Sequence, residues 1–235
     1  MAGHSKWANI KHRKDRADQK KGKIFSRIIK EIISAVKQGG SDPKSNSKLR
    51  IAIGKAKEAN VPSENIERNI KKASSSDQSD YVEVSYELYG FGGVGLIAEG
   101  MTDNKNRIAS EMRIATNKCG GTIATPGAVA FNFDRRGLIR IGKEKVDEEP
   151  LFLLVSEAGA EDLVDEGDEY LVVVPVEAYP GFVELLTPYQ VREAVIGWVP
   201  KSLIECSDEE AGENIALIEW LEKLDDVDAV YHNMK

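Results

Sequence analysis

The chain opens MAGHSKWANIKHRKDRADQKKGK, and this stretch holds the residues whose types and spacing best suit a chemical task. Lys6, Lys11, Arg13, Lys14, Arg16, Lys20 and Lys23 place a cation at almost every turn of the chain. Lys and Arg suit phosphate, because they neutralise it and release its condensed counterions. His12 lies among them and can also touch phosphate. Trp7 offers a ring on which a base can stack, although a terminal aromatic also serves to anchor an arm to its own domain. The run stands out because the whole chain is acidic, with 32 Lys+Arg against 39 Asp+Glu and a net charge of −7. Residues 1–72 hold 19 cations and 7 acids, +12, and the remainder holds 13 and 32, −19, which together return −7. A basic front and an acidic back imply that the front meets a polyanion while the back keeps the protein dispersed.

Other chemistry is weaker. His4, His12 and His232 are the only histidines, and their spacing suggests no Ser-His-Asp or Cys-His arrangement. A metal at His4 and His12 would be repelled by the surrounding cations. Cys119 and Cys206 are far apart and in no motif, which points to a reducing compartment. GFGGVG at 90–95 matches G-x-G-x-x-G, but a strand rather than a helix follows it, so it reads as a hairpin turn instead of a pyrophosphate cradle. EDLVDEGDEY lacks calcium-loop spacing and reads as a solvated acidic hairpin. Asp208, Glu209 and Glu210 read as charges complementing a helix N-terminus. No catalytic residue, metal site or cofactor is assigned.

The elements that must position the basic run are helical. In KIFSRIIKEIISAVK, 23–37, Ile24, Phe25, Ile28, Ile29, Ile32, Ile33 and Val36 form one apolar stripe. Lys23, Arg27, Lys30 and Lys37 fall opposite, and Arg16 and Lys20 join their line if the helix extends back through Gly22. A one-signed face of this kind is expected to look outward. Gly39-Gly40 ends the helix, and Ser45 and Ser47 are candidate caps for the next. Further helices are expected in SKLRIAIGKAKEAN and, after Pro62, in PSENIERNIKKA, with Arg68, Lys71 and Lys72 outward.

The remainder alternates strands and helices. YVEVSYELYG and VGLIAEGM are strands, NKNRIASEMRIATNKC is a helix capped by Asp103 or Asn104, and AVAFNFD, 128–134, reads as a strand. Residues 137–199 follow in the order βαββαβ of a ferredoxin-like unit, and a closing helix and strand complete the earlier α/β pattern. The fold class is therefore α+β in three domains: a basic helical bundle over 1–75, an α/β domain from 76–135 and 203–235, and an inserted ferredoxin-like domain over 136–202. No apolar run approaches the ~18 residues that span a bilayer, and residues 1–23 have neither a secretory apolar core nor the acid-free composition of a mitochondrial presequence.

GHSKWANIKHRK with the following KGKIF, the stretch LYGFGGVGLIAEGMTDNKNR and the closing DVDAVYHN strongly resemble the YebC/PmpR family, essentially end to end. That family includes mitochondrial translational activators of cytochrome c oxidase. The resemblance implies three domains with the third inserted in the second, and a transcriptional regulator that binds DNA. Other members resemble ribosome-associated translation factors, some linked to proline-rich stretches. Mitochondrial members carry an extension ahead of the opening motif. Only Met1-Ala2 stands there in this sequence, so the resemblance implies a bacterial, cytoplasmic protein. Carried over residue by residue, it marks Lys6, Lys11, His12, Arg13 and Lys14, and also Asn104 and Arg107. The expected function is a non-enzymatic nucleic-acid-binding regulator acting on DNA. Two alternatives stand beside it: a factor bound to ribosomal RNA, and a module whose acidic domains hold a basic protein partner.

Overall fold

A computed structural model describes residues 15–75, 80–144 and 146–235; for 15–21 and Glu58 it describes the backbone alone. The first helix, α1 (Asp15–Gly39), does extend back through Gly22. It packs against α2 (Ser47–Glu58) and α3 (Ser63–Ala73). Ile28, Ile32, Ile33 and Val36 of the stripe are buried against Leu49, Ala52, Ala56, Val61, Ile66 and Ala73, while Ile24 stays exposed. The cap of α2 is Asn46, not Ser45 or Ser47. Its side chain accepts from Leu49 N–H at 3.0 Å and donates to the Ala35 and Gly40 carbonyls at 2.7 and 2.8 Å. An amide can do both at once; a hydroxyl is too short to reach them all.

The second unit is built on β1 (Val82–Tyr89), β2 (Gly95–Thr102), α4 (Lys105–Cys119), β3 (Thr122–Ile123), α7 (Asp208–Lys223) and β8 (Val227–His232). Its antiparallel sheet runs β3-β1-β2-β8. Helices α4 and α7 cover one face, burying Leu88, Leu96, Ala98, Ile108, Met112, Leu217 and Leu221. The glycine motif is a hairpin turn, as its sequence reads, with Gly92 and Gly93 at φ 64° and 83°.

Between β3 and α7 the chain makes a second sheet from β4 (Phe133–Gly142), β5 (Asp162–Asp165), β6 (Glu169–Val174) and β7 (Val191–Pro200), with α5 (Glu148–Glu157) and α6 (Tyr179–Leu185) on one face. Its order β5-β6-β4-β7, all neighbours antiparallel, is the ferredoxin-like arrangement, inserted into the second unit. One strand was misread: 128–132 is not extended but carries a short 3-10 turn at Ala130–Asn132, and β4 begins only at Phe133, ahead of the boundary at 136. Glu87 explains this. Its carboxylate accepts from the Gly127, Val129 and Ala130 N–H groups, so those donors are unavailable to a sheet ladder. The two sheets are joined by Arg135, which donates twice to Glu99 at 2.9 Å beneath the Trp198 ring, whose Nε1 donates to the same carboxylate.

The acidic hairpin is exposed at Glu161, Asp162, Asp165 and Asp168, as expected of EDLVDEGDEY, whereas Glu166 is buried and the hairpin's acids also take ion-pair partners. Arg140 reaches Glu166, Glu169 and Glu193; Lys143 reaches Asp165; Arg192 reaches Asp168; Arg136 reaches Glu161. The hairpin packs its carboxylates onto cations that the neighbouring strands supply.

Candidate nucleic-acid interface

Lys6, Trp7, Lys11, His12, Arg13 and Lys14 lie outside the described residues. Arg16 and Lys20 lie on α1, where the backbone alone is described. The rest of the expected line divides sharply.

Lys23, Arg27 and Lys30 do not face outward. They turn onto the second unit, where the segment from Leu224 to Asp228 enters β8. Lys30 is 7% exposed; its ammonium donates to the Met101 and Asp225 carbonyls at 2.9 and 2.8 Å and stands 3.5 Å from Asp226. Lys23 donates to the Leu224 and Val227 carbonyls at 2.9 and 2.5 Å. Arg27 donates to Asp228 at 3.0 Å and to Glu31 at 3.2 Å. Gly100 lets the segment entering β8 lie close against β2, because a Cβ there would lie 1.7 Å from the Asp226 carbonyl oxygen. The expectation of an outward face fails for a tertiary reason. Around Lys23, Arg27 and Lys30 one side of α1 is covered by the bundle and the opposite side by the second unit, so these three cations have the second unit's carbonyls and carboxylates as neighbours instead of water.

Burial at this joint shifts the ionisable groups. It pushes the Lys23 ammonium down, with Asp228 and Glu222 offsetting part of the effect. It opposes the charge on Arg27 too, but Asp228 and Glu31 more than restore it and leave Arg27 above its ordinary value. Burial pushes the Asp228 carboxyl up further than Arg27, Lys30 and Lys23 pull it back. The asymmetry within the pair follows depth: the Asp228 side chain is 7% exposed and that of Arg27 32%.

Asn104 and Arg107 also have structural partners. Asn104 is the cap of α4, accepting from Asn106 and Arg107 N–H groups. Arg107 donates to Asp226 at 2.5 Å and Asp103 at 2.7 Å, which raises its pKa, hydrogen bonds to the two carboxylates contributing most. Thr102 donates to the same Asp226 at 2.8 Å. Asp226 is thus held from the bundle by Lys30 and from α4 by Arg107.

Lys37 is different; it donates to the Ser75 carbonyl in an exposed contact. Among the residues whose side chains are described, the bundle's exposed cations are Lys44, Lys48, Arg50, Lys55, Lys57, Arg68, Lys71 and Lys72. Lys55 pairs with Glu31 at 2.8 Å across the bundle. Of these, the sequence pattern reads Arg68, Lys71 and Lys72 as outward without assigning them to the site. A check of which cations share no face with a buried stripe would have found them.

Among the described residues no group of three or more His, Cys, Asp or Glu side chains is placed to hold a metal ion, and no helix is long and apolar enough to cross a membrane. His232 is half-buried at the end of β8, where desolvation pushes its pKa down.

The sequence profile of the TACO1/YebC N-terminal domain matches residues 5–76, and that of the TACO1/YebC second and third domain matches residues 81–234. The chain belongs to the TACO1/YebC family. It is 61% identical, over all of its length and 97% of the relative's, to a probable transcriptional regulatory protein of Protochlamydia amoebophila. It is 57% identical to one of Chlamydia muridarum, with both chains fully covered. The crystal structure of a conserved hypothetical protein of Aquifex aeolicus superimposes with a TM-score of 0.84 at 39% identity, covering 98% of this chain and 97% of the other. The matches span both TACO1/YebC regions, so the joint at Lys23, Arg27 and Lys30 lies between two units that the family carries together.

Proposed function

We propose that this TACO1/YebC chain is a non-enzymatic regulator of gene expression that binds nucleic acid, and that its target is DNA. The observation that carries the reading is the separation of charge: residues 1–72 hold +12, with exposed cations on α2, α3 and the turn before them among the described residues, while residues 73–235 hold −19. Supporting it, relatives at 56–61% identity bear the name probable transcriptional regulatory protein. The interface proposed is the opening arm, Lys6, Trp7, Lys11, His12, Arg13 and Lys14, continued by Arg16, Lys20 and Lys37, and joined by the outer lysines and arginines of α2 and α3. Contacts of this type neutralise phosphates and orient the molecule; they carry no base sequence by themselves. Lys23, Arg27 and Lys30 serve the joint that holds the bundle against the second unit.

Fluorescence anisotropy with duplex DNA over a range of salt tests this. About five phosphate contacts give a log–log slope of roughly −4 to −5. Charge reversal at Lys57, Lys71 and Lys72 is expected to flatten the slope by about 3 and weaken binding. An unchanged slope would remove α2 and α3 from the interface. The rival target is ribosomal RNA, since a basic arm fits either polyanion. Crosslinking in cells followed by sequencing separates them; ribosomal RNA recovered without promoter DNA would overturn the transcriptional reading.

A further inference from the structure

The inserted domain has a surface that the nucleic-acid reading leaves unused. Residues 136–202 hold 6 Lys/Arg and 14 Asp/Glu, −8. Each described cation there, Arg136, Arg140, Lys143, Arg192 and Lys201, already sits in an ion pair. The charge left for a visitor is therefore negative. On α5, Leu151 and Val155 point into the core, but Phe152 and Leu153 on the outer side are 53% and 54% exposed. Glu148 and Glu149 lie one turn before them and Glu157 one turn after Leu153, all exposed. Next to Leu153 in the chain, Leu154 lines a groove of about 590 Å³ with Val146, Leu185, Pro188 and Tyr189.

We propose that the outer side of α5 and this groove dock a cationic amphipathic segment of a partner protein. Apolar side chains of the segment cover Phe152 and Leu153 and enter the groove, and its lysines or arginines meet Glu148, Glu149 and Glu157. Charge decides the occupant. Nucleic acid and anionic lipid are repelled by the carboxylates, and a second copy of this chain would set acid against acid. Two large apolar side chains exposed in succession on one helix, with a groove on that helix's Leu154 flank, mark an interaction surface more than they mark chance exposure.

A labelled helical peptide of leucine and lysine serves as the probe, titrated with the full chain at physiological salt. Phe152→Ala with Leu153→Ala is expected to weaken it roughly tenfold, and Leu153→Lys at least as much, with melting unchanged because both side chains are exposed. Glu149→Gln with Glu157→Gln should weaken it severalfold and reduce its salt dependence. Asp208→Asn with Glu209→Gln, at the acidic start of α7, should leave it unaltered. Equal binding by the Phe152/Leu153 variant, or an equal loss from the α7 variant, would overturn the proposal, because the peptide would then be reading net charge alone. Sedimentation adds one more check: a dimer of the unliganded chain that Leu153→Lys dissolves would assign the surface to self-association instead.

Discussion

Two sets of lysines and arginines in one small bundle have opposite fates. Lys23, Arg27 and Lys30 of α1 point into a joint, where Lys30 is buried against two carbonyls and Asp226. Those of α2 and α3, such as Lys57, Lys71 and Lys72, stand exposed. Residue type does not distinguish them, and neither does helical periodicity. The difference lies in what packs on the polar side of each helix. It teaches that a one-signed helix face has two uses. It attracts a polyanion when left open, and it satisfies carbonyls and carboxylates of its own chain when covered. Stability experiments and binding experiments should therefore separate the two sets.

The largest effect is expected at Lys30. Lys30→Ala leaves the Met101 and Asp225 carbonyls without this donor and Asp226 with one cation fewer, and should destabilise the fold by about 3–5 kcal/mol in urea unfolding. A loss below about 1 kcal/mol would mean that the joint holds nothing together. Arg27→Ala, at the rim of the joint, should lose about 1–2 kcal/mol, since its guanidinium is partly solvated and Glu31 keeps Lys55 as a partner. Asp228 sharpens the comparison through pH. Its folded pKa lies above the ordinary carboxylate value, so the folded state holds the proton more tightly than the unfolded chain does. Its contribution to stability is thus full below about pH 4 and declines as pH rises through the raised value. Asp228→Asn should flatten the stability curve in that window; an unaltered curve would place the titration elsewhere. The smallest effects on stability belong to the outer set. Lys57→Ala and Lys71→Ala should each stay within about 0.5 kcal/mol of the parent, yet each should reduce the salt slope of DNA binding by roughly 0.9. If Lys30→Ala changed that slope as much as Lys71→Ala at temperatures where both are folded, the division drawn between inner and outer cations would fail.

Much of the fold was legible. The stripe at Ile28, Ile32, Ile33 and Val36, the hairpin at Gly92-Gly93, and the βαββαβ order all follow from local periodicity and turn chemistry. The failures have a common cause. Asn46 was passed over as a cap because its other partners, the Ala35 and Gly40 carbonyls, belong to the end of a different helix. Residues 128–132 were read as a strand because Glu87, a long way back in the chain, was not seen to take their N–H groups. Lys23, Arg27 and Lys30 were read as outward for the same reason: their partners lie on other elements.

From sequence alone came the identity of the helices and strands, the segregation of positive charge to the front, and membership of the family. These are properties of neighbours along the chain, where periods of two and about 3.6 residues and capping chemistry act directly. Which cations face water was settled only in three dimensions. An ammonium group takes whichever oxygens it meets, and for Lys23 and Lys30 those oxygens lie far along the chain, on Leu224, Asp225 and Val227 and, for Lys30, also on Met101, where the bare backbone of Gly100 lets the two segments lie together.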